Sequence, residues 1–154
     1  MKPKLRTYNL FKAEVRREEY LSWEIPNEQR VLYARLRSGS HQLRIERGRW
    51  DNEVEAERLC KVCGTGKIEN EKHFLLECYV FERFRRNMYR RILQETTYDL
   101  VSMNANKDSN WLFQVLLGGT LPSREARKCV GRAVAAFVAV EMRKRSRLLQ
   151  TEKS

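Results

Sequence analysis

Nineteen residues, CKVCGTGKIENEKHFLLEC from Cys60 to Cys78, hold three of the chain's four cysteines and one of its two histidines. Their spacing is Cys60-x2-Cys63-x9-His73-x4-Cys78. A C-x2-C turn presents two sulfurs from one backbone bend, and the glycine after Cys63 eases that bend. The second pair falls within the three-to-five window of other metal modules. Three thiolates and an imidazole suit a tetrahedral Zn²⁺, with Zn–S about 2.3 Å and Zn–N about 2.0–2.1 Å. On a regular helix, positions five apart point about 140° away from each other. An irregular helix start is therefore expected between His73 and Cys78, unless Cys78 reaches across from a second turn. Cys129 and, more weakly, His41 are rival ligands. Four protein ligands would leave no position for a water, which makes the expected site structural. It would fold a segment too short and polar to bury a core alone.

Charge is divided unevenly along the 154 residues, whose formal net charge is +11. Residues 1–50 carry 12 Lys/Arg against 6 Asp/Glu, and residues 111–154 carry 9 against 3. Residues 51–78 carry only 4 against 7, so the cysteine-rich segment is an acidic island in a basic chain. A cationic surplus of this size favours a polyanion, nucleic acid before an anionic membrane. No apolar run approaches the roughly 20 residues of a membrane span, and no apolar stretch follows the basic N-terminus as in a secretory signal. The expected location is intracellular, nuclear or cytoplasmic, where clustered thiols stay reduced and hold metal rather than pair.

Periodicity predicts a mainly α protein, a small helical domain with a short β-hairpin zinc knuckle. Leu10, Phe11, Val15 and Tyr20 mark a first helix. Asn27 caps a second, reaching Arg37. The stretch HQLRIERGRW reads equally as strand or helical turn. A hairpin is expected in CKVCGTGKIE, with Gly64 and Gly66 at its turn. A long helix follows from about Asn70 to Gln94. TTYDLVSMNANKDSN reads as a loop with a helical turn at most, and WLFQVLLGGT as a short buried helix. Ser123 opens a last helix to about Leu149, with Ala126, Val130, Ala133, Val134, Phe137, Val138 and Met142 at core spacing. The expected organisation is one domain over 1–154. It comprises a basic helical part (1–50), the knuckle with its helix (51–94), and C-terminal helices (110–150) packed on them.

The segment ERLCKVCGTGKIENEKHFLLECYVFERFRRNMY resembles the zinc-binding region downstream of the polymerase domain in reverse transcriptases of non-LTR retrotransposons. The likeness rests on Cys60, Cys63, Ile68, Glu69, Glu71, His73, Phe74, Leu75, Cys78, Tyr79 and Arg83. Upstream, YARLRSGSHQLRIERGRW shares the family's pattern from Leu36 to Arg49. The resemblance implies a bound Zn²⁺, a grip on RNA or target DNA, and partnership with a reverse transcriptase or other retroelement protein. It implies no catalysis here, since the family's polymerase aspartates lie in another domain and no Tyr-x-Asp-Asp occurs in this chain.

Candidate nucleic-acid contacts form three groups. Arg44, Arg47 and Arg49 stand beside Trp50. Arg83, Arg86 and Arg90 share one helix face by spacing. Arg143, Lys144, Arg145 and Arg147 form a basic cluster near the C-terminus. Arginine offers a planar fork to phosphate and can stack on bases. Each group also has a plainer reading as solvated surface, helix-end charge or, for Trp50, a core anchor. Glu69, Glu71 and Glu77 read as helix-end or solvating acids. GTGK at Gly64–Lys67 lacks the flanking residues of a nucleotide-phosphate loop. Two classes remain: a non-catalytic nucleic-acid-binding module, and a protein-interaction adaptor scaffolded by zinc. A zinc hydrolase would need an open position on the metal.

Overall fold

The computed structural model describes residues 5, 7–10, 12, 16–118 and 120–152. Six α-helices form among them: α1 (Asn27–Ser38), α2 (Arg44–Trp50), α3 (Glu82–Thr96), α4 (Leu100–Asn104), α5 (Trp111–Leu116) and α6 (Arg124–Thr151). Helix α6 is the spine, and α1, α3 and α5 all pack on it. Its sequence explains this. Ala126, Val130, Ala133, Val134, Phe137 and Val138 recur at helical spacing and are buried, with Met142 partly so. The Ser123 side chain accepts a hydrogen bond from the Ala126 N–H and caps the N-terminus.

Two aromatic groups lock other elements to this spine. Tyr20, Trp23 and Tyr33 meet with ring centroids 5.6–6.3 Å apart, and the Arg37 guanidinium lies 4.9 Å from the Tyr20 centroid. Phe74 contacts Phe81 at 5.2 Å and Phe137 of α6 at 5.9 Å, so the residue after His73 ties the cysteine-rich segment to the core. Burying a phenylalanine is worth about 1.5–3 kcal/mol.

Several expectations change. No strand forms among the described residues. The expected hairpin reduces to one antiparallel bridge between Leu59 and Ile68, flanked by Cys60 N–H to Lys67 C=O at 2.8 Å and Glu69 N–H to Arg58 C=O at 3.0 Å. The helix expected from Asn70 breaks at Cys78, whose backbone is extended, before α3 starts at Glu82. HQLRIERGRW resolves into helix α2, and the helical turn within the expected loop is α4. Pro26 rather than Asn27 precedes the first turn of α1 as its cap position. The first expected helix is represented by short 3-10 turns at Tyr8–Leu10 and Glu19–Ser22, while Phe11 and Val15 lie outside the described residues. No helix among the described residues is long and apolar enough to cross a membrane.

Candidate metal centre

Cys60, Cys63, His73 and Cys78 are buried together, and their ligand atoms all lie within 4.8 Å of one another. Local backbone explains how. Gly64 and Gly66 take φ of 63° and 77°, which L side chains rarely adopt, and turn the chain back after Cys63. Between His73 and Cys78 the chain forms a π turn, in which the Cys78 N–H donates to the His73 carbonyl at 2.8 Å. An i→i+5 turn brings two residues five apart onto one side, which an α-helix would not do. Asn70 holds the start of this turn, accepting through Oδ1 from the His73 N–H at 2.8 Å.

Arg85 braces the turn from α3. Buried, it donates through Nε to the Leu75 carbonyl at 2.7 Å and through one NH2 to the carbonyls of Cys78 and Phe74 at 2.9 and 3.3 Å. These carbonyls lie where the helix breaks, and that of Cys78 also accepts from the Phe81 N–H at 3.3 Å.

The donor set fits a tetrahedral soft cation. Bond lengths of about 2.3 Å to sulfur and 2.05 Å to nitrogen put the S···N edge of a regular tetrahedron near 3.5 Å. Cys63 Sγ lies 3.5 Å from His73 Nε2. Contact with Cys78, then burial, pushes the Cys60 thiol up to about 12, while the same contact lowers Cys78. The Cys60 contact raises His73. The other imidazole nitrogen, Nδ1, has no hydrogen bond but lies 3.5 Å from Glu77 Oε2, a carboxylate placed behind the ligand. Cys129 sits on α6 outside the cluster. His41 is buried elsewhere, with Nε2 2.8 Å from Glu71 Oε1.

Two acids of the acidic island, Glu69 and Glu71, are buried, while Asp51, Glu55, Glu57 and Glu77 are exposed. Glu69 is buried and accepts from both Nε and NH2 of Arg145, at 2.6 and 2.8 Å, and from the Arg44 backbone N–H at 2.7 Å. Its carboxylate therefore serves the first turn of α2, which has no side-chain cap of its own. Glu71 holds His41. Of the acids expected at helix ends or in solvent, only Glu77 is substantially exposed.

The candidate cations fare differently. Arg44 is buried, paired with Glu53 and 3.7 Å from Asp51. Arg145 is buried on Glu69. Both are committed to the fold, so the structure corrects their expected place on an exposed contact surface. The rest stay near solvent. Arg47 lies 3.9 Å from Asp51, and Arg49 is 3.0 Å from Glu46 with its guanidinium 5.4 Å from the Trp50 centroid. Trp50 itself is 73% exposed, against its reading as a core anchor. Arg83, Arg86 and Arg90 line one shallow hollow with exposed Tyr79, and Arg86 pairs with Glu82 at 2.6 Å. Arg143 reaches Glu28 at 3.1 Å, Lys144 donates to the Val80 carbonyl at 3.0 Å, and Arg147 is exposed.

Comparison with protein-family models, curated proteins and solved structures gives no match to this chain.

Proposed function

We propose that this chain is a non-catalytic nucleic-acid-binding module whose fold is held by one Zn²⁺ on Cys60, Cys63, His73 and Cys78. The buried Cys3His cluster carries the reading, because it sits in a chain of net charge +11 whose arginines remain largely at the surface. Thiolate and imidazole donors in this number suit zinc, and a site closed by four protein ligands has no position for a reacting water. Exposed ion pairs such as Arg86–Glu82 are worth about 0–1 kcal/mol, so phosphate can displace the carboxylate. The resemblance of the Cys60–Arg83 segment to reverse transcriptase zinc-binding regions supports the same reading, with a retroelement protein as partner and a reducing intracellular location for the thiols.

The test joins metal analysis to a salt titration. The purified chain should hold one zinc, lost on Cys60→Ser, Cys63→Ser or Cys78→Ser. Its affinity for random-sequence RNA should fall steeply with salt, log K dropping by about 0.7 per phosphate contact for each tenfold rise. No measurable binding at low salt would overturn the reading and leave the zinc-scaffolded adaptor, for which Tyr79, 61% exposed beside the cluster, is the docking feature.

A further inference from the structure

Two hollows are lined by residues other than the α3 arginines. One, about 520 Å³, lies between α1 and the end of α6, with Leu32, Arg35, Met142, Arg143 and Arg147 in its lining. The other lies against α2, with Arg47, Arg49 and Trp50 in its lining. Ser40, His41 and Gln42 line both, so the two hollows abut the same loop. Residues nearly a hundred positions apart thus come to share one surface feature.

We propose that the two hollows together form a channel, the path of a single nucleic-acid strand, with Trp50 stacking an unpaired base at one end and Arg35, Arg143 and Arg147 taking phosphates at the other. The inference rests on the nucleic-acid reading above and commits it to a place and to a single-stranded partner. Three observations carry it. First, Trp50 is mostly exposed, with Arg49 beside its ring, and a cation paired with an aromatic face is the chemistry of a base-stacking platform. A duplex keeps its bases stacked on each other and cannot use such a platform. Second, the cations sit around a concave, partly apolar floor. Arg35 and Arg147 are exposed and have no ion pair to another described residue, while Arg143 has only an exposed pair with Glu28.

Third, the channel is rigid from beneath, and the metal segment makes it so. His41 uses both ring nitrogens: Nδ1 accepts from the Leu43 N–H at 3.3 Å, and Nε2 donates to Glu71 at 2.8 Å. Glu69 fixes the start of α2 on one side and Arg145 of α6 on the other. Both carboxylates lie between the two ligand pairs of the centre. The walls of the channel are therefore held by the segment the metal folds, and a preformed groove orders fewer side chains on binding.

The experiment measures binding of the full chain, zinc-loaded, to a fluorescein-labelled RNA strand of about 16 nucleotides, the upper end for such sites, to the DNA strand of the same sequence, and to its duplex. Trp50→Ala should weaken single-strand binding roughly tenfold, with Trp50→Phe close to wild type, because any aromatic ring stacks. Arg35→Gln with Arg147→Gln should lower the salt slope without changing the Trp50 effect. Duplex binding should be weaker and indifferent to Trp50. Because Trp50 is exposed, each variant should keep the wild-type melting curve, and if Trp50→Ala loses it, the salt slope of the Arg35/Arg147 pair is the deciding measurement. Wild-type single-strand affinity in all these variants, combined with loss in Arg83→Ala/Arg86→Ala/Arg90→Ala, would overturn the path and leave the nucleic-acid reading standing. Absence of salt-sensitive binding by the wild type itself would overturn both.

Discussion

Arg145 on α6 closes a two-pronged ion pair on Glu69, at 2.6 and 2.8 Å, with both side chains buried and 76 positions of chain between them. Glu69 lies one residue past the Leu59–Ile68 bridge that closes the cysteine turn. The pair therefore joins the metal segment to the helix that organises the core. Removing one partner strands the other charge out of water. Arg145→Ala should cost about 3–5 kcal/mol in urea unfolding. The same variant, measured where it is folded, should keep the wild-type salt slope for RNA, since a buried arginine contacts no phosphate. A reduced slope with unchanged stability would show that Arg145 is a surface contact after all.

Glu77 makes a different kind of link. Its Oε2 lies 3.5 Å from His73 Nδ1 and 3.8 Å from Lys67 Nζ, and the residue is partly exposed. A carboxylate behind a ligating imidazole fixes the ring and makes it a better donor, and its loss typically costs 10–100-fold in metal affinity. Glu77→Gln should weaken zinc by about that factor in competition with a chelator. Stability of the metal-free chain should move by no more than about 0.5 kcal/mol, as for an ordinary surface change. Equal zinc affinity in the two proteins would remove Glu77 from the site.

What was readable in the sequence was local. The four residues of the buried Cys3His cluster follow from spacing, because a C-x2-C turn and its glycines need no distant partner. The core face of α6 follows from a period of 3.6. The geometric conflict at His73 and Cys78 could be seen in advance, but not its solution as a π turn, which depends on Arg85 bracing three carbonyls from another helix. Glu69 and Glu71 looked like solvated acids because their partners, Arg145 and His41, are distant in sequence. Trp50 looked like a core residue because aromatic character says nothing about which side of a short helix faces inward.

Gly131, about two turns into α6, shows one residue type fixed by a neighbour rather than by its own backbone. A Cβ there would stand 1.9 Å from the Trp23 ring, well inside contact distance. Alanine gains about 1 kcal/mol in helix propensity over glycine, yet overpacking a core costs about 1–3 kcal/mol or more. Trp23 cannot slide away freely, since Tyr20 and Tyr33 hold it at 6.3 and 5.7 Å. Gly131→Ala should therefore lose about 2 kcal/mol by denaturant midpoint. In a Trp23→Leu background the same change should be neutral or stabilising. A stabilising Gly131→Ala in the wild-type background would mean that α6 and Trp23 do not approach this closely.

Glu141, also on α6, is fully buried, and neither carboxylate oxygen has a hydrogen-bond partner among the described residues. Burial pushes its pKa from 4.5 up to about 7, against the pull of Lys144, Arg85 and Arg147. The folded chain then holds this proton at pH values where the unfolded chain has released it. Its contribution to stability is accordingly full below pH 4.5 and falls as pH rises toward 7. The difference amounts to about 3 kcal/mol. Other groups titrate in the same range, so the informative quantity is wild type minus Glu141→Gln, measured by urea unfolding at several pH values. That difference should change by a few kcal/mol from pH 4.5 to 7, with the glutamine variant gaining relative to wild type as pH rises, and level off above. A flat difference across this window would mean that Glu141 meets water or a partner in the folded chain and keeps an ordinary affinity for its proton.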